Sequence, residues 1–305
     1  MSSIEAVVLD IDGVIVGKEP GKNFPMPSEP VAERLREVGR SGVSVSLCSA
    51  KPFFAVANIA NEVGLDSLHI GNGGAIIANP NDPSVGQRRA LDIPQAIRII
   101  RKCIERCVYI ESYGEDQYFV FRDQVEDLTQ KRADILMQRA VTVDDVEEIV
   151  GSHDILSIEI TAKTPDERAA IDALLAEENE GVTFGWTSHP KTLPYNAAVV
   201  TRRGVSKGQG VIDLAASIGV STENMLAVGD TMNDWTFMRV CGHTAAMGNA
   251  EDELKSATLE KGGYVGGSVD GDGVIEIIDH CIKLGSPGSG KTAMVRHLFR
   301  EMTGR

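Results

Sequence analysis

The sequence VVLDIDGV at residues 7–14 is an apolar run that ends in two aspartates and a glycine. The run Ile4–Ile11 is short and rich in Val and Leu, as expected for a buried strand that leads into a functional loop. Apolar runs recur at Val43–Leu47, Leu68–Ile70 and Met225–Val228, each preceded by a helical pattern. This alternation predicts an α/β fold with a doubly wound parallel sheet, because parallel strands are joined by right-handed crossovers.

The middle of the chain has a different rhythm. Two strand-like runs, Val108–Ser112 and Gln117–Phe121, flank a turn at Gly114, which is the pattern of an antiparallel hairpin. Helical patterns follow, among them Val143–Val150, and further strands are predicted up to Thr201. We therefore expect a Rossmann-like core formed by residues 1–79 and 203–284, an inserted α+β cap domain at residues 80–202, and a short tail at residues 285–305.

The composition excludes several classes of partner. Lys+Arg 30 against Asp+Glu 44 gives a formal net charge of −14, which argues against binding to nucleic acid. No apolar run approaches the roughly 18 residues needed to cross a bilayer, and the N-terminus lacks a secretory signal pattern. Five cysteines without paired spacing argue against a disulfide framework or a zinc site. We expect a cytoplasmic protein with no membrane partner.

Four polar clusters are predicted to meet at one edge of the parallel sheet, where ligands of such sheets bind. They are Asp10 with Asp12, Ser49, Lys207, and Asp230 with Asp234. Converging carboxylates repel one another unless a hard cation lies between them, and oxygen ligands suit Mg²⁺, the predicted cofactor. Each residue alone is explained as a turn, a helix cap or a solvated side chain. Their recurrence in order at equivalent positions favours a catalytic site.

The order DIDGV, a serine after an apolar strand, a lysine and GDTMND resembles the haloacid dehalogenase superfamily. The cap between the serine and the lysine is similar to that of the Cof-like branch of sugar-phosphate phosphatases. The stretches IGNGGAI (70–76), AAMGNA (245–250) and DGDGV (270–274) are family-like as well. The resemblance implies a phosphoric monoester hydrolase acting on a small-molecule phosphomonoester, such as a sugar phosphate or a phosphoglycerate derivative.

The resemblance also implies roles for individual residues. Asp10 would attack phosphorus and form an aspartyl phosphate, and Asp12 would protonate the leaving oxygen and then activate water. The remaining implied roles are metal binding by Asp10, the backbone carbonyl of Asp12 and Asp230, phosphate binding by Ser49 and Lys207, and support from Asn233 and Asp234.

Two departures from the family pattern concern residues beside these motifs. Val14 follows Gly13 where Thr is frequent, and Lys51 stands where related phosphatases often have Arg. A lysine cannot reproduce bidentate binding by a guanidinium, which leaves any substrate contact of that arginine open. Candidates for substrate selection in the cap are Tyr113, Glu159, Trp186, His189 and Tyr195, although packing explains most of the aromatic residues.

Two alternatives remain at this stage. The first is a phosphomutase of the same superfamily, which would share the nucleophile and the position of the cap. The second is a nucleotide-binding or kinase module, suggested by the tail. There Gly290, Lys291 and Thr292 complete a P-loop pattern, which a Gly/Ser linker also matches by chance. We expect the chain to be the phosphatase part of a longer protein fused to an NTPase or kinase domain, with the P-loop turn inert in this chain.

Overall fold

The fold is given by a computed structural model, which describes residues 4–151, 153–178, 180–187 and 191–282. The strands in this part of the chain are β1 (Ala6–Leu9), β2 (Ser44–Leu47), β3 (His69–Gly71), β4 (Ile76–Asn79), β5 (Asp82–Arg88), β6 (Tyr109–Tyr113), β7 (Tyr118–Phe121), β8 (Val141–Val143), β9 (Ser157–Ala162), β10 (Val182–Thr187), β11 (Asn196–Arg202), β12 (Met225–Gly229), β13 (His243–Ala246) and β14 (Tyr264–Val265). The α-helices are α1 (Glu29–Arg40), α2 (Phe53–Val63), α3 (Ile93–Glu105), α4 (Asp127–Leu136), α5 (Val146–Val150), α6 (Pro165–Glu177), α7 (Lys207–Ile218), α8 (Trp235–Met238), α9 (Asp252–Glu260) and α10 (Gly273–Cys281).

The first sheet contains five parallel strands in the order β14-β13-β12-β1-β2. Strand β1 lies near its centre and is completely buried, because helices cover both faces of such a sheet. Helix α1 begins directly after Ser28, whose hydroxyl accepts a hydrogen bond from the backbone N–H of Val31. The predicted doubly wound α/β core is confirmed.

Strand β3 does not extend the parallel sheet as the sequence pattern predicts. It pairs antiparallel with β4, which pairs with β5, and within the described residues its backbone pairing with β2 is limited to the isolated parallel bridge Cys48–Ile70. Side chains occupy the free edge of β2: the backbone N–H of Leu47 donates to Nδ1 of His69, and the hydroxyl of Ser67 donates to the carbonyl of Val45. These bonds replace the ladder that a neighbouring strand would form.

The inserted segment forms a six-stranded sheet in the order β10-β11-β9-β6-β7-β8. All neighbouring pairs are antiparallel except β7 with β8, which confirms an α+β cap. Helices α3, α5 and α6 cover one face, and their apolar residues share a core with that face. The predicted helix at Val143–Val150 is wrong in its first turn, because Asp145 caps a helix that begins at Val146 and Val143 belongs to β8.

No helix in the described ranges is both long enough and apolar enough to span a bilayer.

Candidate active site

Asp10 follows the last residue of β1 and lies at the buried carboxyl edge of the parallel sheet. The ammonium of Lys207, at the first position of α7, donates to Oδ1 of Asp10 at 2.6 Å and to Oδ1 of Asp234 at 2.7 Å. Residues that are 197 positions apart in sequence are therefore in direct contact. Three of the four predicted polar clusters meet at this point.

The glycines around Lys207 permit this approach. A Cβ on Gly74 would lie 2.3 Å from the carbonyl oxygen of Ser206, and one on Gly208 would lie 2.3 Å from that of Thr236. Ser206 also caps α7, since its hydroxyl accepts a hydrogen bond from the backbone N–H of Gln209 at 3.1 Å. The glycines in GVSKGQG and IGNGG thus bring the start of α7 against the neighbouring segments.

Asp234 is almost completely buried, and hydrogen bonds use both of its oxygens. Oδ1 accepts from Lys207, and Oδ2 accepts from the backbone N–H groups of Asp230 and Thr231, each at 3.1 Å. These bonds shape the turn after β12 and orient Lys207 toward Asp10. Asp234 therefore acts on the geometry of the cluster through its neighbours.

Asp230 completes a carboxylate cluster with Asp10 and Asp234, in which one oxygen of each lies within 4.8 Å of the others. A Cβ at Gly13 would lie only 1.9 Å from Oδ2 of Asp230, and the backbone of Gly13 has a φ of +79°. Glycine is thus required there both by its conformation and by the carboxylate that lies against it. This contact explains the glycine of the DIDG motif.

The electrostatics of the cluster favour a bound cation. Burial raises the pKa of Asp10 well above its usual range, and the Asp234 carboxylate raises it further. Burial and Asp234 likewise raise the pKa of Asp230 to about 7. Three carboxylates face a single ammonium here, so a divalent cation would relieve their repulsion. The oxygen donors fit a hard cation such as Mg²⁺.

Asp12 lies in a different environment from Asp10. Its side chain is 43% exposed, and its Oδ2 forms a salt bridge with the ammonium of Lys51 at 3.0 Å. The carboxylate is not part of the cluster formed by the other three aspartates. Sequence reasoning did not predict this ion pair and noted Lys51 only as a departure from the family pattern. The signal in the sequence is the position of Lys51, two residues after Ser49.

Ser49 is buried two residues after the end of β2, and its hydroxyl oxygen accepts from the backbone N–H of Lys51 at 3.2 Å. Its own hydroxyl hydrogen has no acceptor among the described residues and is available to an incoming oxygen. The side chain of Asn233 is exposed and makes no hydrogen bond within the described part of the chain. Its supporting role stays a prediction.

Two asparagines in family-like stretches have structural roles that sequence reasoning did not assign. Nδ2 of Asn249 donates to the carbonyl of Gly13 at 2.9 Å, which fixes the loop after β1. Asn72 accepts from the backbone N–H of Phe53 at 2.9 Å and donates to the hydroxyl of Ser157 at 2.8 Å. Asn72 therefore joins the core to the first residue of β9 in the cap.

The cap candidates divide between its two faces. Tyr113 and Glu159 lie on the face that α3 and α6 leave uncovered, and Tyr195 packs near Tyr109 on that face. Trp186 packs with the core on the helical face, where its Nε1 donates to Asp172 at 2.9 Å. His189 and the P-loop-like residues Gly290, Lys291 and Thr292 lie outside the described residues.

Fold and site together define a doubly wound α/β protein with a carboxylate cluster at the edge of its parallel sheet and an inserted cap. The family model of haloacid dehalogenase-like hydrolases matches residues 7–278, and the chain belongs to this family.

Relatives and structures of similar length agree with this assignment. The phosphoglycolate phosphatase of Methanococcoides burtonii is 24% identical over 92% of this chain and 98% of its own length. The 5-amino-6-(5-phospho-D-ribitylamino)uracil phosphatase YwtE of Bacillus subtilis is 23% identical over the same shares. A haloacid dehalogenase-like hydrolase from Bacteroides thetaiotaomicron is structurally similar, with a TM-score of 0.78 at 19% identity over 91% of this chain and 99% of that one. The phosphatase names support the expected phosphoric monoester hydrolase.

Proposed function

We propose that this protein is a Mg²⁺-dependent phosphatase that hydrolyses a small phosphomonoester through an aspartyl phosphate on Asp10. The observation that carries the proposal is the contrast between Asp10 and Asp12, two residues apart. Asp10 is buried against Lys207 in an acidic cluster, whereas Asp12 is half-exposed beside Lys51. Two carboxyl groups in such different environments are suited to different tasks in one reaction.

Asp10 is the nucleophile in this proposal. Lys207 binds its Oδ1, which supports the ionised carboxylate and leaves Oδ2 for attack on phosphorus. A bond forms between Oδ2 and phosphorus while the ester P–O bond breaks, and the leaving alcohol takes a proton from Asp12. Asp12 then removes a proton from water, which attacks the acyl phosphate and releases inorganic phosphate and free Asp10.

The residues that would hold Mg²⁺ are the carboxylates of Asp10 and Asp230, with the backbone carbonyl of Asp12. When bound, the ion would offset the negative charge that these carboxylates and a phosphoryl group bring together. Lys207 and the hydroxyl of Ser49 supply donors for the phosphoryl oxygens, where negative charge increases in the transition state. Asp234 positions Lys207 and the Asp230 turn.

The direct test is steady release of inorganic phosphate from an aryl phosphate by the purified protein. We expect release to stop in excess chelator, to return with Mg²⁺, and to fall by several orders of magnitude in Asp10→Asn, because an amide is a poor nucleophile. A control variant is Asp279→Asn, an exposed carboxylate on α10 that pairs with Arg34. Turnover that survives chelation, or an Asp10→Asn variant as active as the control, would contradict the proposal. Transfer of phosphate between hydroxyls of a sugar without its release would indicate a phosphomutase instead.

A further inference from the structure

The face of the cap sheet opposite α3, α5 and α6 contains two carboxylates in direct opposition. Strands β6 and β9 pair antiparallel with Glu111 opposite Glu159, so both side chains project from the same face. Like charges at opposite positions of a sheet destabilise it, and burial makes the repulsion stronger. Their presence at adjacent buried positions therefore needs a physical explanation.

Arg132 of α4 binds both carboxylates and reduces their repulsion, but Glu111 and Glu159 differ in the number of hydrogen bonds that they accept. The guanidinium donates to Oε2 of Glu111 at 2.9 Å and to Oε2 of Glu159. The hydroxyls of Tyr109 and Tyr113 also donate to Glu111, which is only 1% exposed and has both oxygens bonded. Glu159 is 12% exposed, and its Oε1 has no hydrogen bond to any described residue. Both oxygens of Glu111 are thus used in hydrogen bonds within the cap, whereas Oε1 of Glu159 can still accept one.

Two sets of contacts orient this face toward the predicted active site. The backbone N–H of Asn72 donates to the carbonyl of Lys51 at 2.7 Å, and its side chain binds Ser157, two residues before Glu159 on the same face. Phe54, three residues after Lys51, stacks on Tyr118 of the cap with ring centroids 5.9 Å apart. The segment that begins at Lys51 is therefore packed against the face that carries Glu159.

Lys51 interacts electrostatically with a carboxylate of the core and with one of the cap. Its ammonium lies 3.0 Å from Oδ2 of Asp12. Burial raises the pKa of Glu159, and the ammonium of Lys51 opposes this effect together with Arg132. The ammonium that pairs with Asp12 is thus within electrostatic reach of Glu159, on the cap face that packs against the Lys51 segment.

We propose that Glu159 determines specificity for the leaving group and selects a neutral, polyhydroxylated alcohol, an inference that rests on the function proposed above. A hydroxyl of such an alcohol can donate to the free oxygen of Glu159. An anionic leaving group would instead approach Glu159 and Asp12, while Lys51 and Arg132 are already paired with carboxylates. Repulsion of this kind rejects a wrong partner as effectively as a good contact selects the right one.

The test compares three substrates that share the phosphate and differ in the leaving group. Ribitol 5-phosphate has a neutral, polyhydroxylated leaving group, and 2-phosphoglycolate has a leaving group that carries a carboxylate. The leaving group of p-nitrophenyl phosphate has no further hydroxyl to donate. We expect the wild-type kcat/KM to be higher for ribitol 5-phosphate than for 2-phosphoglycolate. In Glu159→Gln we expect it to fall about 10-fold or more for ribitol 5-phosphate, to stay within about 2-fold for p-nitrophenyl phosphate, and to rise for 2-phosphoglycolate.

A matched control is Glu178→Gln, a buried cap carboxylate that pairs with Arg98 and Lys102 among the helices of the other face. It should change the three values alike. Glu159→Asp keeps the charge but withdraws the oxygen, so it should lose ribitol 5-phosphate turnover without gaining 2-phosphoglycolate turnover.

Equal effects of Glu159→Gln on all three substrates, or a wild-type preference for 2-phosphoglycolate, would overturn the inference and leave the phosphatase assignment intact. A wild-type protein that releases phosphate from none of the three would overturn the proposed function itself.

Discussion

The core and the cap each contain a buried cation between two carboxylates, but the two clusters are built differently. In the core, the ammonium of Lys207 contacts Asp10 and Asp234, and the carboxylate of Asp230 lies close by without a second protein cation in the described cluster. In the cap, the guanidinium of Arg132 joins Glu111 and Glu159, and two tyrosine hydroxyls add donors. The core cluster keeps excess negative charge, whereas the protein itself satisfies most of the cap cluster.

This difference shows how similar arrangements serve different purposes. Lysine is a compact charge whose three donors can rotate toward a phosphoryl oxygen, while the fork of arginine holds two carboxylates in a fixed geometry. An acidic surplus beside a lysine is suited to binding a metal ion and a phosphate. A satisfied arginine cluster is suited to fixing the cap strands and leaving one defined acceptor on Glu159.

The strongest way to test the contrast is to remove the core cation. We expect Lys207→Met to lower kcat by several orders of magnitude, because Asp10 loses its partner and the phosphoryl group loses a donor. The metal-free variant should also be less stable, since the acidic cluster is left uncompensated. Saturating Mg²⁺ should restore its thermal midpoint but not its turnover, as measured by phosphate release. Near-normal activity in Lys207→Met would contradict a role for this residue in the chemistry.

Removal of the cap cation should have the opposite effect, with a large loss of stability and little change in the chemistry. Arg132→Met leaves two opposed carboxylates buried, which we expect to cost about 3–5 kcal/mol in the free energy of unfolding. Urea denaturation should detect this loss, and Mg²⁺ should not reverse it. The folded fraction should still hydrolyse p-nitrophenyl phosphate. The control is Lys131→Met, which removes an exposed cation from the same helix and should be near neutral. Stability equal to that control would show that the cap cluster contributes little.

A third test concerns the surplus charge of the core. The pKa of Asp230 is raised to about 7 by burial and by Asp234, so the folded protein holds a proton that the unfolded chain releases near pH 4. This contribution to stability is present below pH 4 and is lost as pH rises through 7. In chelator, wild type should therefore lose more stability between pH 5 and pH 8 than Asp230→Asn, by about 3 kcal/mol. Mg²⁺ should restore wild type at pH 8 and not the variant, as urea titrations at both pH values would show. Parallel pH profiles of the two proteins would rule out a strained carboxylate at this position.

Sequence reasoning predicts the core cluster because the rule behind it is general. Asp10, Ser49 and Asp230 each follow a parallel strand, and strands of one sheet end at the same edge. No such rule brings Arg132 to Glu111. In the sequence Lys131 and Arg132 are adjacent charged residues of one helix, and only the packing of α4 on the cap sheet buries the second and exposes the first. The boundaries predicted for the domains, at residues 79/80 and 202/203, stay a prediction.

The departure of β3 from the parallel sheet likewise depends on tertiary contacts of one side chain. His69 is completely buried, and its Nδ1 accepts the backbone N–H of Leu47 at the edge of β2. The other ring nitrogen lies 3.3 Å from the carbonyl of Leu65, so the neutral tautomer with hydrogen on Nε2 satisfies both contacts. A histidine that replaces a strand ladder cannot be distinguished in the sequence from one at the surface.

The smallest expected effect concerns His69. This side chain is buried and neutral, whereas the core and cap clusters are buried and charged. Burial lowers the pKa of His69 to about 4, while the unfolded residue titrates near 6.5. Below pH 6.5 the unfolded chain binds a proton that the fold excludes, so the stability present above that pH is lost as pH falls toward 4. Between pH 6.5 and pH 5 the loss should be about 1–2 kcal/mol. His69→Gln should be less stable at pH 8 yet show a shallower decline over that interval, because an amide does not titrate. Urea titrations of both proteins at pH 8, 6.5 and 5 provide the comparison, and His243→Gln, a partly exposed histidine on β13, is the control that should follow wild type. If His69→Gln and wild type lose stability equally between pH 6.5 and pH 5, the edge of β2 does not depend on a neutral His69.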